Sequence, residues 1–355
     1  MNRRQVLSLL AGYCSTAALE RICEAIGAAP SSSTSAGVVI YCFGPRQQAG
    51  RQRQPKQDLF EPATFLEHCR QLGAGGIQAP LSACDADRAA KLRRQADDCG
   101  MFVEGIVDPP RDHGDLDRFD AHMRIAAVAG ARVVRTVILP GRRYEFFESA
   151  EQFRQYDERA RRSVELAAPV AQRHRVRLAI ENHKDHRIGE RIELLRHIGS
   201  EWVGACVDLG NSLSLLEDPI ETVRAYAPWA FSVHLKDQAV AEYRDGFLLA
   251  DVPLGQGVLD LKTMVDVLRK AKPDVRFNLE LITRDPLKVP CLTEKYWTTF
   301  AATPGQDLAR TLRLVRQGAK ALPTLGGLSL DEQVALEHRN VVESLRFARE
   351  VLRLG

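Results

Sequence analysis

Eight short apolar runs rich in Val and Ile recur along the chain, and longer amphipathic segments separate them. Such alternation is typical of a parallel sheet wrapped by helices, and eight strands close a (β/α)8 barrel. We therefore predict an α/β fold, a (β/α)8 TIM barrel with a C-terminal helical extension. The predicted strands are Val38–Phe43, Gly76–Pro80, Phe102–Asp108, Val133–Leu139, Arg177–Asn182, Gly204–Asp208, Phe231–Lys236 and Phe277–Ile282.

The segments between these runs carry apolar residues at three- and four-residue spacing, which predicts helices. Four of them are followed by a glycine, the residue that most often ends a helix. These glycines are Gly73, Gly100, Gly130 and Gly199. The predicted helices are Ala63–Leu72, Ala86–Cys99, Leu116–Ala129, Ala150–Arg173, Glu190–Ile198, Pro219–Tyr226 and Leu261–Ala271.

The chain divides by composition into three predicted parts: 1–36, a signal and linker; 37–290, the barrel; and 291–355, an extension. Arg3 and Arg4 precede an apolar stretch, a pattern similar to a twin-arginine export signal, which predicts a periplasmic protein. The alternative is a short amphipathic helix on a cytoplasmic protein, because charges at Glu20 and Glu24 are unusual beside a signal core. No apolar run is long enough to span a bilayer.

The C-terminal part is less regular. A connection from Cys291 to Thr303 contains Tyr296, Trp297 and Phe300, and we expect it to form either a lid or a contact within a homo-oligomer. Residues 306–320 are predicted to form a helix. Ser329 with the glutamate three residues later is a capping box for a last helix that closes the barrel wall.

The composition limits the classes of molecule that the protein is expected to bind. The net charge is +3 with both signs interspersed, so no basic stripe suited to nucleic acid is present. A small molecule is the expected partner. None of the eight cysteines forms a C-x-x-C pair, which argues against a zinc knuckle or a disulfide framework.

Four of the runs end on a side chain that binds metals: Glu181, Asp208, His234 and Glu280. Barrel enzymes keep their chemistry at these strand ends. Carboxylates with one imidazole suit Mn²⁺, Mg²⁺, Zn²⁺ or Co²⁺. A single buried Glu or His is more often a paired structural residue, but several carboxylates in one pocket need a cation.

Strand parity checks this prediction, because side chains two apart share a face. If the four ligands point inward, the alternate positions must be apolar and pack under helices. The outward set is Ile180, Val207, Val233, Leu235, Leu279 and Leu281, all apolar. The inward set adds Ala179, His183, Gly204, Cys206, Ser232, Lys236 and Asn278.

Several motifs resemble the signature strands of the xylose isomerase-like family of sugar (phosphate) isomerases, epimerases and apurinic-site endonucleases. They are Glu181-Asn182-His183, Asp208-Leu209-Gly210-Asn211, His234-Leu235-Lys236-Asp237, Leu279-Glu280, Gly73-Ala74-Gly75-Gly76-Ile77-Gln78, and Gly130-Ala131 with Val134-Arg135. The resemblance covers about residues 38–285.

The resemblance implies one divalent ion held by Glu181, Asp208, His234 and Glu280, and a carbohydrate substrate. A metal on a carbonyl or hydroxyl oxygen stabilises an enediolate, so that Glu181 and Glu280 can remove and return a proton. Seven further residues at strand ends are predicted to bind substrate, with support of the ligands or a salt bridge as the alternative. They are Gln78, Glu104, Arg135, His183, Asn211, Lys236 and Arg284. His174, His186 and His197 are expected at the surface.

The chain departs from the family's epimerases at Asn211 and Val240, where they carry His and Arg, so ketohexose epimerisation does not transfer directly. The extra histidines and basic face of the endonucleases are also missing. The leading hypothesis is a metal-dependent sugar (phosphate) isomerase or epimerase. The alternatives are a lyase that eliminates a leaving group from 3-keto-glycosides and a non-catalytic sugar-binding barrel.

Overall fold

The computed structural model describes residues 34–53, 58–300 and 302–355. The predicted export signal lies outside these residues and stays a prediction. Within the described part of the chain, no helix is both long and apolar enough to cross a membrane.

Eight parallel strands form a closed barrel, which confirms the predicted (β/α)8 fold. The barrel strands are β1 (Gly37–Val39), β2 (Gly76–Pro80), β3 (Phe102–Ile106), β4 (Val133–Thr136), β5 (Arg177–Glu181), β6 (Val203–Asp208), β7 (Ala230–Leu235) and β10 (Arg276–Leu279). Strands β8 (Asp237–Tyr243), β9 (Gly246–Val252) and β11 (Leu287–Val289) form a separate sheet. Around the barrel the strand order is β1-β10-β7-β6-β5-β4-β3-β2.

The seven helices predicted between the barrel strands are confirmed, within two residues at each end. The helices of the described residues are α1 (Gly44–Gln52), α2 (Pro62–Gln71), α3 (Ala86–Asp98), α4 (Leu116–Val128), α5 (Arg143–Phe146), α6 (Ala150–His174), α7 (Ile188–Ile198), α8 (Pro219–Tyr226), α9 (Leu261–Ala271), α10 (Glu294–Trp297), α11 (Gly305–Gly318) and α12 (Leu330–Glu350). The predictions did not include α1, α5 or α10. All four predicted stop glycines have positive φ, from 58° to 79°.

The first predicted strand is too long. Only Gly37–Val39 pair with their neighbours, whereas Ile40–Phe43 form a 3₁₀ helix. A short apolar run does not distinguish a strand from a buried helical turn, which explains the error. The turn directs Tyr41 away from the core, and its ring lies 5.7 Å from the guanidinium of Arg135.

A hairpin after the seventh barrel strand was not predicted. Strands β8 and β9 pair antiparallel around Arg244 and Asp245, and β11 adds to the edge of β9. Asp245-Gly246 between alternating apolar residues is a hairpin signal that could have revealed it. The hairpin extends from the carboxyl end of β7, so it stands beside the predicted site.

The last helix closes the wall of the barrel, as predicted. Ser329 and Glu332 form the expected capping box at the start of α12. The helix packs against β10, α1 and the 3₁₀ turn after β1. Just beyond it, the carbonyl oxygen of Leu354 accepts a hydrogen bond from the backbone N–H of Ser35 at 2.8 Å. The two ends of the described chain are thus joined at the barrel's amino-terminal rim.

All six side chains predicted to point outward lie in the main apolar core between barrel and helices. They are Ile180, Val207, Val233, Leu235, Leu279 and Leu281. Ser232 and Asn278, predicted to point inward, are buried and share the carboxylate of Glu104 inside the barrel. This parity aims the four candidate ligands at one point.

Candidate metal centre

The four predicted ligands meet at the carboxyl end of the barrel. Glu181, Asp208, His234 and Glu280 are all buried, and one potential ligand atom of each lies within 4.8 Å of the others. They come from four neighbouring strand ends, β5, β6, β7 and β10, with Glu181 and Glu280 at the two ends of the row. Three carboxylates and an imidazole therefore converge in one pocket.

Gln78 determines how the imidazole is presented. The Nε2 atom of His234 lies 2.8 Å from Oε1 of Gln78, whose Nε2 donates to Oε2 of Glu104 at 3.0 Å. A carboxylate oxygen of Glu104 accepts the hydrogen bond from the amide nitrogen of Gln78, so the amide oxygen of Gln78 faces His234. Nε2 of His234 therefore carries a proton, which it donates to this oxygen. Nδ1 then faces Glu181, Asp208 and Glu280, at 3.6, 3.8 and 3.4 Å. Burial alone would lower the pKa of this imidazole, but the surrounding anionic groups raise it well above 6.5, so Nδ1 holds either a proton or a cation.

This arrangement fits a divalent cation. Nδ1 of His234 is buried and makes no hydrogen bond within the described residues, and the charged neighbour of Oδ2 of Asp208 on the protein side is the ammonium of Lys236. A lone pair directed at three carboxylates is repulsive unless a positive charge lies between them. One imidazole nitrogen with carboxylate oxygens is a donor set for Mn²⁺, Mg²⁺, Zn²⁺ or Co²⁺.

Lys236 lies against the same carboxylates. Its Nζ is 2.8 Å from Oε2 of Glu280 and 3.0 Å from Oδ2 of Asp208. Burial alone would raise the pKa of both carboxyl groups, but Lys236 outweighs it, lowering the pKa of Asp208 to about 2 and that of Glu280 well below 4.5. Both groups are therefore ionised, as metal ligands must be.

Glu181 is held by two other predicted residues. Arg135 forms a buried ion pair with its Oε2, with Nε at 2.5 Å, and the amide of Asn211 donates to its Oε1 at 3.0 Å. Asp208 is fixed by backbone donors, since the N–H groups of Gly210 and Asn211 reach its Oδ1 at 2.9 and 2.8 Å. Charged and neutral donors together orient the ligands.

The remaining predicted residues occupy different depths. Gln78 and Glu104 lie inside the barrel and hydrogen-bond within the protein, beneath the ligands. His183 follows β5, and burial lowers the pKa of its imidazole to about 4. Arg284 is partly exposed and lies 3.5 Å from Asp251 of β9, an ion pair with the unpredicted hairpin. Their contacts with substrate stay predictions.

Two residues near the centre were missed. Lys184 is buried, and its Nζ lies 2.5 Å from Oδ1 of Asn211. It directly follows the Glu181-Asn182-His183 motif, so its position at a strand end was a usable signal. Tyr41 was missed because the first strand was predicted to continue to Phe43, whereas Tyr41 lies in the 3₁₀ turn.

The prediction that His174 and His186 lie at the surface is wrong. His186 is buried, with Nε2 2.7 Å from Asp157, and it contacts the buried Asp185–Arg191 pair. His174 is mostly buried and its Nε2 lies 2.7 Å from Asp120. Sequence position in a loop or helix end gave no sign of these carboxylate partners. His197, by contrast, is exposed as expected.

Six cysteines lie in the described residues, and all are free thiols. Five are buried, and Cys99 is exposed. The expectation that no disulfide framework stabilises the chain therefore holds for this part of it. Burial raises the pKa of the Cys206 thiol, which lies next to His234 inside the barrel.

The fold and the site together define a (β/α)8 barrel with a buried cluster able to hold a metal ion at the carboxyl ends of its strands. Residues 66–316 match the family model described as xylose isomerase-like TIM barrel. The chain belongs to this family, as the strand motifs predicted.

One curated protein and several solved structures resemble this chain. A 3-oxo-isoapionate decarboxylase from Pectobacterium atrosepticum is 26% identical over 245 residues, which cover 66% of this chain and 84% of the relative. A solved D-psicose 3-epimerase superposes with a TM-score of 0.56 at 15% identity, covering 82% of this chain and 93% of the other. The probable 3-DHS dehydratase of Bacillus anthracis superposes with a TM-score of 0.52 at 13% identity, covering 70% and 92%.

Proposed function

We propose that the protein is a divalent-metal-dependent sugar isomerase or epimerase that acts through an enediolate. The observation that carries the proposal is the free Nδ1 of His234 facing three carboxylates within 3.4–3.8 Å. A bound divalent ion would polarise the substrate's carbonyl oxygen and so acidify the neighbouring C–H. Glu181, Asp208, His234 and Glu280 would hold it.

Glu181 and Glu280 are the proposed acid and base. They stand at opposite ends of the row of four strands, so a carbon between them is accessible from two faces. One carboxylate removes the proton and the other returns one, which inverts a centre or moves the carbonyl. Arg135 and Asn211 hold Glu181 in place, and Lys236 does the same for Glu280.

The first test is metal analysis of the purified protein, with Asp208→Ala beside the wild type. We expect one equivalent of metal in the wild type and its loss in the variant. Asp266→Ala, which changes an exposed carboxylate on α9, is the control and should keep the metal. A wild type that takes up neither Mn²⁺ nor Co²⁺ would exclude the proposed centre.

The second test is proton exchange in D₂O with a panel of keto-sugars and 3-keto-glycosides. Deuterium at a single carbon, together with an epimer or isomer, supports the proposal. Release of an aglycone without an epimer would instead indicate the elimination reaction. Tight sugar binding without any deuterium incorporation would indicate a non-catalytic barrel.

Replacement of Glu280 or Glu181 by Gln is expected to lower turnover by at least about a hundredfold, because each removes one partner of the proton transfer. Glutamine keeps the shape of the side chain but removes the buried charge that pairs with Arg135 or Lys236. The melting temperature of each variant is therefore measured as well, to show that the protein assayed is folded. The measurement is kcat with the substrate found by exchange. Turnover within a few-fold of the wild type in both variants would contradict the assignment.

Decarboxylation of a 3-oxo sugar acid is the second candidate. The decarboxylase relative suggests it, and the ammonium of Lys236 beside Asp208 and Glu280 favours it. In this reaction the bond between C2 and the carboxyl carbon breaks, its electron pair forms the enolate, CO2 leaves and C2 takes a proton. No base is needed for the first step. Release of CO2 from a 3-oxo acid, in place of exchange into a neutral keto-sugar, would favour it.

A further inference from the structure

Lys184 is a buried ammonium to which the described residues supply no carboxylate partner. Its residue is 3% exposed, and among the described residues no carboxylate oxygen lies within 4 Å of Nζ. Among the described residues, the Nζ of Lys184 donates one hydrogen bond, to Oδ1 of Asn211 at 2.5 Å. Burial, together with the nearby cations Lys236 and Arg284, lowers the pKa of Lys184 to about 8.

The position of Lys184 connects it to the metal centre. Asn211 uses its oxygen for Lys184 and its amide nitrogen for Oε1 of Glu181, so a single side chain separates the ammonium from a candidate ligand. Buried lysines are otherwise paired, because an isolated ammonium loses its hydration without compensation. An ammonium that keeps two N–H donors free beside a reaction centre is suited to an anionic ligand.

The balance of charges around the metal centre also favours an anionic ligand. The three carboxylates of Glu181, Asp208 and Glu280 are balanced by Arg135, Lys236 and Lys184. Arg284 and Asp251 form a pair of their own, and Glu104, deeper in the barrel, interacts electrostatically with Arg276. A divalent ion, which the proposed function requires, would leave two positive charges in excess. A substrate carboxylate and the developing enediolate oxygen would offset both.

We infer that Lys184 binds a carboxylate of the substrate, so that the enzyme acts on a keto sugar acid in preference to a neutral keto-sugar. The inference rests on the proposed function, since it is the divalent ion that leaves the centre positively charged. It adds a residue and a substrate class: a polyhydroxy acid whose carboxylate lies on the Asn211 side of the ligands.

The test compares two probes that differ only at one terminal carbon. D-Threonate carries a carboxylate where threitol carries a CH2OH group. Titration calorimetry of the Mn²⁺-loaded protein is expected to show threonate binding at least tenfold more tightly. Lys184→Met keeps the length of the chain without the charge and should remove most of this preference. Lys184→Arg should keep it, and Lys262→Met, at an exposed position on α9, should match the wild type.

Three outcomes overturn the inference: a wild type that does not prefer threonate, a Lys184→Met variant that keeps the preference, or one that weakens both probes equally. Mn²⁺ affinity is measured in the same samples, which separates this inference from the proposed function. If Lys184→Met binds Mn²⁺ normally and still prefers threonate to threitol, only the proposed role of Lys184 is contradicted. Absence of Mn²⁺ binding in the wild type sinks the proposed function, and the inference with it. If the methionine variant does not fold, Lys184→Gln takes its place, because its amide can still donate a hydrogen bond but carries no charge, and a retained preference in it overturns the inference.

Discussion

At the scale of single residues, the site depends on which nitrogen of one imidazole carries a proton. The chain from Glu104 through Gln78 to His234 leaves Nδ1 free to bind a cation. Glu104 and Gln78 lie on the consecutive strands β3 and β2, whereas His234 lies on β7, 156 residues after Gln78. Support of this kind is a common partner of metal-binding histidines.

Gln78→Leu is expected to weaken metal affinity by about 10- to 100-fold, because the proton on Nε2 loses its acceptor and the ring loses its orientation. Gln71→Leu, on the exposed face of α2, is the matched control and should bind metal like the wild type. The measurement is competition with a metallochromic chelator. Equal affinities in the two variants would show that Gln78 does not orient His234.

The sequence identified the four candidate ligands because each stands at the end of an apolar run, and because alternation fixes which side chains point inward. The sequence did not reveal which side chains contact these four ligands. Gln78 lies across the barrel from His234, and no local pattern encodes that contact. Lys184 escaped notice because its pairing with Asn211 depends on the turn after β5, where alternation ends.

At the scale of elements, the amphipathic helices and the strand centres could be predicted, while irregular segments could not. Periodicity reports burial, and the core helices are buried on one face along their whole length. The 3₁₀ turn at Ile40–Phe43 and the β8–β9 hairpin are buried without a regular period. Their form is decided by what they pack against.

Helix α12 offers a test of its role in closing the barrel. Leu345 is 3% exposed in the main core, whereas Val342 on the same helix is 42% exposed. Leu345→Ala should destabilise the fold by about 2–5 kcal/mol, because it leaves a cavity between helix and barrel. Val342→Ala should cost less than about 0.5 kcal/mol. Urea unfolding measures both, and similar losses would mean that α12 does not complete the core.

At the scale of the whole molecule, one buried acid links stability to pH. Glu337 of α12 is buried beside Arg46 of α1, and burial raises the pKa of its carboxyl group from 4.5 to about 8, although Arg46 acts in the other direction. The unfolded chain releases this proton near its ordinary pKa, whereas the folded chain keeps it to about pH 8. The folded state therefore loses stability as pH rises through that window.

Glu337→Gln should remove this loss. Its melting temperature should fall less than that of the wild type between pH 5 and pH 9, because the amide has no proton to release. Glu350→Gln, at the exposed end of the same helix, is the control and should follow the wild type. Parallel curves for all three proteins would show that Glu337 titrates normally in the folded state.

The bond between Ser35 and Leu354 has a consequence for how the protein is made. Strand β1 takes one neighbour from β2 and the other from β10, and the 3₁₀ turn that follows it packs against α12. A ribosome synthesises a chain at roughly 5–20 residues per second, starting from the amino terminus. Strands β2 to β7 can therefore assemble during synthesis, but β1 keeps one edge unpaired until β10 emerges. The nascent chain spends that interval as an open sheet, the stage at which a chaperone would be of most use.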